Sequence, residues 1–98
     1  MEQLINRSYK AIKDRGLITN KTKKSDFIKK LHEELYECEL TQLSGYGKNK
    51  EVDYIEELID LSTVCFMQVL HLGYDPIKEF EKVVIKNENR AKCTTQDQ

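Results

Sequence analysis

A chain of 98 residues is long enough for one domain with a modest core, so 1–98 is read as a single domain. Its 16 basic and 17 acidic side chains leave a formal net charge of -1, and no global field draws it to nucleic acid or to an anionic membrane. Hydrophobic residues make up 39% and charged residues 34%, with one proline and no tryptophan, a balance that suits amphipathic helices better than a β-sandwich.

A first helix is predicted over about Glu2 to Asp14, with Leu4, Ile5, Tyr9 and Ile12 on a narrow stripe and Gly16 as its stop. The stretch from Gly16 to Lys24 is polar and basic. Ser25 or Asp26 then offers an N-cap for a second helix to about Leu43, whose apolar positions Phe27, Ile28, Leu31, Leu35 and Cys38 recur at three- and four-residue spacing. Gly45 and Gly47 mark Ser44 to Lys50 as a loop, and a third helix follows from about Val52 to Leu72, ending at Gly73. Asp75 and Pro76 open the fourth as N-cap and first helical residue, and it is expected to reach about Ala91. The core then spans about 25–91, and 92–98 reads as a polar, fraying tail.

The expected fold is all-α, a four-helix bundle completed by oligomerisation. The reason lies in the third helix, where apolar residues between Leu58 and Leu72 occupy almost the whole circumference, and such a helix must be covered from several sides. A second protomer supplying a helix face is the simpler way to finish that cover, so a dimer at least is expected. Met1 to Lys10 lacks the apolar stretch of a signal peptide, and the longest apolar run is interrupted by Ser62, Thr63 and Gln68, so a cytoplasmic protein with no membrane segment is expected. Cys38, Cys65 and Cys93 form no C-x-x-C pair and are read as reduced thiols.

Two acidic pairs carry the chemistry. Glu34 and Glu37 stand three apart on the second helix, Glu57 and Asp60 three apart on the third, and each pair projects to one side of its helix. If the helices lie antiparallel, the pairs can face each other and offer four oxygen donors to a hard cation such as Mg²⁺, with Mn²⁺ as a substitute. Asp60 shares the sector of Val64 and Met67, and Glu34 that of Leu31 and Cys38, so these acids extend apolar stripes, where crowded carboxylates raise one another's pKa or demand a cation. A di-iron site needs Glu-x-x-His twice, and neither His32 nor His71 has a glutamate three residues before it, so both histidines are read as structural or surface residues.

The run from Leu31 to Glu37, the segment Glu56 to Leu61 and the later Lys86 to Arg90 resemble the E-x-x-E, E-x-x-D and K-N-x-x-R elements of the MazG-like all-α nucleotide pyrophosphohydrolases, over about Ser25 to Arg90. The resemblance implies hydrolysis of a nucleoside triphosphate between the α- and β-phosphates, giving monophosphate and pyrophosphate, as housekeeping of (deoxy)nucleotides. It implies a dimeric or tetrameric helical bundle. Mg²⁺ would be held by Glu34, Glu37, Glu57 and Asp60, and the attacking water oriented by one of these carboxylates or by Glu33 beside them. Lys86, Asn87 and Arg90 would contact phosphates or sugar, and residues of the first helix, Phe27 or Tyr36 would select the base.

Two other classes compete. One is a non-enzymatic oligomeric interaction module whose acids form surface salt bridges. The other is a nucleic-acid binder, supported only by Lys21, Lys23, Lys24, Lys29 and Lys30, and the second helix turns acidic immediately after them.

Overall fold

The computed structural model describes residues 1–43 and 50–96, with side chains for 1–43 and 51–92. Four helices follow in order, α1 Glu2–Asp14, α2 Lys24–Leu40, α3 Lys50–His71 and α4 Pro76–Gln96, and there is no strand among the described residues. None of these helices is long and apolar enough to cross a membrane. Residues 44–49 of the expected glycine loop lie outside the described residues, as do residues 97 and 98 of the expected tail.

Local chemistry sets most of the helix ends. Gly16 adopts a φ of 75°, its N–H bonds the Lys13 carbonyl at 2.9 Å, and the Leu17 N–H reaches back to Ile12 at 3.2 Å. This is a Schellman stop, which needs a left-handed residue and so favours glycine. Gly73 repeats it with φ 92°, Gly73 N–H to Leu70 and Tyr74 N–H to Val69. Asp75 caps α4 as expected, its Oδ1 accepting from the Ile77 N–H at 2.9 Å just beyond Pro76.

Four boundaries differ from expectation, the first being that α3 begins at Lys50 and not at Val52. α2 begins at Lys24, because Asp26 acts from the third helical position, its Oδ2 accepting the Lys23 N–H at 2.8 Å. The same helix stops at Leu40, before the expected Leu43. Gln42 and Leu43 make tighter bonds to carbonyls three residues back, while the buried Thr41 donates its hydroxyl to the Cys38 carbonyl at 2.7 Å. α4 passes the expected Ala91 and runs to Gln96, since neither glycine nor proline stands there to end it.

The chain divides into two compact units, 1–68 and 69–98. The first holds the described core: Ile5 of α1, Ile18 of the connection, Phe27 and Cys38 of α2 and Met67 of α3, the last only 2% exposed. Within α3 the polar interruptions are satisfied internally, Ser62 donating to the Leu58 carbonyl and Thr63 to that of Ile59. Val52, Ile55, Leu58 and Ile59 of the same helix, and Ile28 and Leu35 of α2, are exposed. In the second unit, Phe80, Val83, Val84 and Ile85 of α4 are exposed as well.

Candidate metal centre

α2 and α3 bring the two acidic pairs together within the first unit. One oxygen from each of Glu34, Glu37 and Glu57 lies within 4.8 Å of the others. The helices pass in opposite directions. Beside the trio opens a cavity of about 560 Å³, lined by Phe27, Lys30 and Glu34 of α2 and by Asp60, Val64 and Met67 of α3. Moving from Glu37 and Glu57 into it, α2 numbers fall while α3 numbers rise, which is the antiparallel arrangement that lets i, i+3 pairs on two helices converge.

The four acids are not equivalent. Glu34 is buried, 7% exposed, and Glu57 half-buried, whereas Glu37 and Asp60 are exposed. Asp60 stands outside the close trio, on the cavity wall, near enough for its charge to act on Glu57. Burial pushes the Glu57 carboxyl up to about 7 from an ordinary 4.5, helped by a hydrogen bond and charge from Glu37 and then by the charges of Asp60 and Glu34. Cys38 is driven the same way, first by burial and then by the surrounding carboxylates, so its thiol stays protonated and the donor set is oxygen.

Two oxygens are left over. Glu34 Oε2 and Glu57 Oε2 are buried without a hydrogen-bond partner. A buried carboxylate oxygen with nothing to accept from costs free energy, and a proton shared at Glu57 or a cation among the three carboxylates removes that cost. The donor set fits a hard divalent ion: three glutamates from two rigid helices, with the exposed Glu37 side leaving room for further oxygen ligands.

Glu33 lies on the cavity wall at 3.6 Å from the Lys30 Nζ and is not one of the trio. Phe27 is buried and lines the cavity together with Ile12 of α1, whereas Tyr36 is exposed and does not line it. Lys86, Asn87 and Arg90 sit on α4 in the second unit, all exposed, with Lys86 and Arg90 one turn apart on the same side. His32 is exposed, His71 half-buried, and neither belongs to the cluster. Cys38 and Cys65 are free thiols, and the Cys93 side chain lies outside the described residues.

Sequence reasoning overlooked Lys30. Its Nζ lies 3.1 Å from Glu34 Oε1 and its pKa is raised, chiefly by that hydrogen bond. A lysine four residues before a glutamate destined for burial was the available signal. No family model matches the chain, and neither does any curated protein or any solved structure.

Proposed function

We propose that this chain is a Mg²⁺-dependent nucleoside triphosphate pyrophosphohydrolase of the MazG-like type. The observation that carries the reading is the convergence of Glu34, Glu37 and Glu57 from antiparallel helices, with two buried oxygens unpartnered, beside a cavity of a size usual for small-molecule sites. Glu34, Glu37 and Glu57 would hold the ion, with Asp60 completing the set from the cavity side. When bound, the ion supplies positive charge to phosphate oxygens as the phosphoanhydride breaks.

The protein's own groups supply the rest. Glu34 is held in place by burial, 7% exposed on α2, so its carboxylate is preorganised towards the trio. Glu37 of the trio or Glu33 on the cavity wall, both exposed, would orient a water and accept its proton. Ile12, Phe27, Val64 and Met67 give the cavity an apolar wall against which a flat base can rest. Lys86, Asn87 and Arg90 are assigned to the phosphates or sugar on the strength of the K-N-x-x-R resemblance.

The test is to incubate the protein with Mg²⁺ and a panel of canonical and modified nucleoside triphosphates and to separate the products. Monophosphate with pyrophosphate supports the reading, diphosphate with phosphate redirects it, and no product across the panel removes it. The oligomer belongs to the same reading: exposed Val52, Ile55, Leu58 and Ile59 on α3 are the surface a second protomer would cover, and light scattering should find a dimer or tetramer.

A second reading, an oligomeric helical module without turnover, draws on the same exposed side chains and on Glu57, whose raised pKa shows that a proton can also relieve the cluster. Such a protein would melt at the same temperature with and without divalent cations.

A further inference from the structure

The cavity has a basic flank that the chemistry above does not use. Arg15, Lys29 and Lys30 line it against four acids, Asp26, Glu33, Glu34 and Asp60. A purely acidic mouth would repel phosphate, so these three cations decide whether an anion can enter. Among them Lys30 is held in a definite place, with Nζ 3.1 Å from Glu34 Oε1 and 3.6 Å from Glu33 Oε2.

The Lys30–Glu34 pair is lopsided. The lysine side chain is 52% exposed and the glutamate 9%. The ammonium keeps much of its water and a flexible four-carbon stem, so it can leave at small cost. The carboxylate cannot follow it, because Oε2 of the same group is already buried and unpartnered. Once Lys30 leaves, Glu34 needs a replacement counter-charge or a proton, and a divalent cation among the three carboxylates supplies the former.

Resting on the metal reading given above, we propose that Lys30 is a two-position residue. In the empty site it is the counter-ion of Glu34. Once a divalent cation takes over that carboxylate, the like charges oppose each other and Nζ turns into the cavity, where with Lys29 and Arg15 it binds a phosphate oxygen of the ligand. Lys30 thereby couples the two binding events, restraining the metal when no anion is present and holding the anion when the metal is.

The assignment makes opposite demands on two affinities, which an ordinary surface lysine or a purely structural one does not. Lys30→Gln should bind Mn²⁺ alone severalfold more tightly than the wild type, by titration calorimetry. The same variant should bind inorganic tripolyphosphate severalfold more weakly under saturating Mg²⁺, and Lys30→Arg should restore both affinities towards wild type. Tripolyphosphate carries no base, so the result is independent of base preference, and far-UV circular dichroism checks that helicity is kept. Wild-type protein that binds no Mn²⁺ would overturn the metal reading and Lys30 with it. Wild-type binding with both Lys30→Gln affinities unchanged, or shifted in the same sense, would overturn the Lys30 assignment alone.

Discussion

The acidic cluster of residues 1–68 and the basic ladder of α4 are both rows of like charge on helices, yet they are housed differently. Glu34, Glu37 and Glu57 are drawn together and partly sunk, with two oxygens left without partners. Lys78, Lys82, Lys86 and Arg90 are spread at four-residue intervals along one exposed side, and Lys82 is relieved by Glu79 at 3.2 Å. Exposed charges are satisfied by water and by pairs worth little, whereas buried ones create a demand for a counter-ion. Substitutions should therefore act strongly in the first region and weakly in the second.

The sharpest way to break that contrast is to remove a carboxylate charge at constant shape. Glu37→Gln or Asp60→Asn should lower pyrophosphate release by at least the roughly 10- to 100-fold lost when groups that merely support metal ligands are removed, with helicity intact. Undiminished turnover in both variants would show that the cluster is a solvated face like the ladder. Divalent cations should also stabilise the protein. At an ion concentration about 100 times the dissociation constant, linkage gives about 2.7 kcal/mol, which calorimetry should register as a rise in melting temperature over a chelator-treated sample.

Without a cation the cluster should make stability depend on pH. The Glu57 carboxyl ionises near 4.5 in the unfolded chain and at about 7 in the fold, so the folded state holds the extra proton between those values. Its contribution is present below about 4.5 and is lost as pH rises through about 7. The groups it feels, Glu37, Asp60 and Glu34, are all acids, and each acts to raise it. Denaturant midpoints of chelated protein should fall from pH 5 to pH 8, and the fall should shrink in Glu57→Gln.

The ladder is the milder region. Lys86→Ala or Arg90→Ala should raise KM severalfold while leaving Mn²⁺ affinity near wild type, and unchanged kinetics in both would return the ladder to ordinary helix electrostatics. Gly16→Ala lies outside both charged regions and should touch stability alone. Nothing lies within 4 Å of a Cβ at that position, so the cost is that of the left-handed backbone alone, about 1 to 2 kcal/mol by thermal melts.

What could be read before the structure follows the range of the forces involved. The limits of α1, the glycine stops and the Asp75 cap depend on residues within one turn, and they stand where periodicity and capping chemistry put them. The start of α2 and the end of α4 depart from the sequence pattern because capping at Lys23 works through Asp26 and because polar composition after Ala91 does not by itself end a helix. The pairing of Glu34 with Glu37 was legible from spacing. That Glu34 would be buried and Asp60 exposed was not, since both extend apolar stripes and only the packing of α2 on α3 separates them. Lys30 was read as one of a run of lysines, and its partner became visible only once Glu34 had a fixed place.

Those glycine stops bear on how quickly the site assembles. α1 and α3 each end through hydrogen bonds that close within six residues at Gly16 and Gly73, so their boundaries can form before any helix meets another. Helical folds built from such short-range contacts reach their native state in microseconds to milliseconds. The acids of α2 and α3 meet only when those helices dock, and their mutual repulsion falls on that step. A divalent cation present from the start should then speed folding itself, acting as a template for docking.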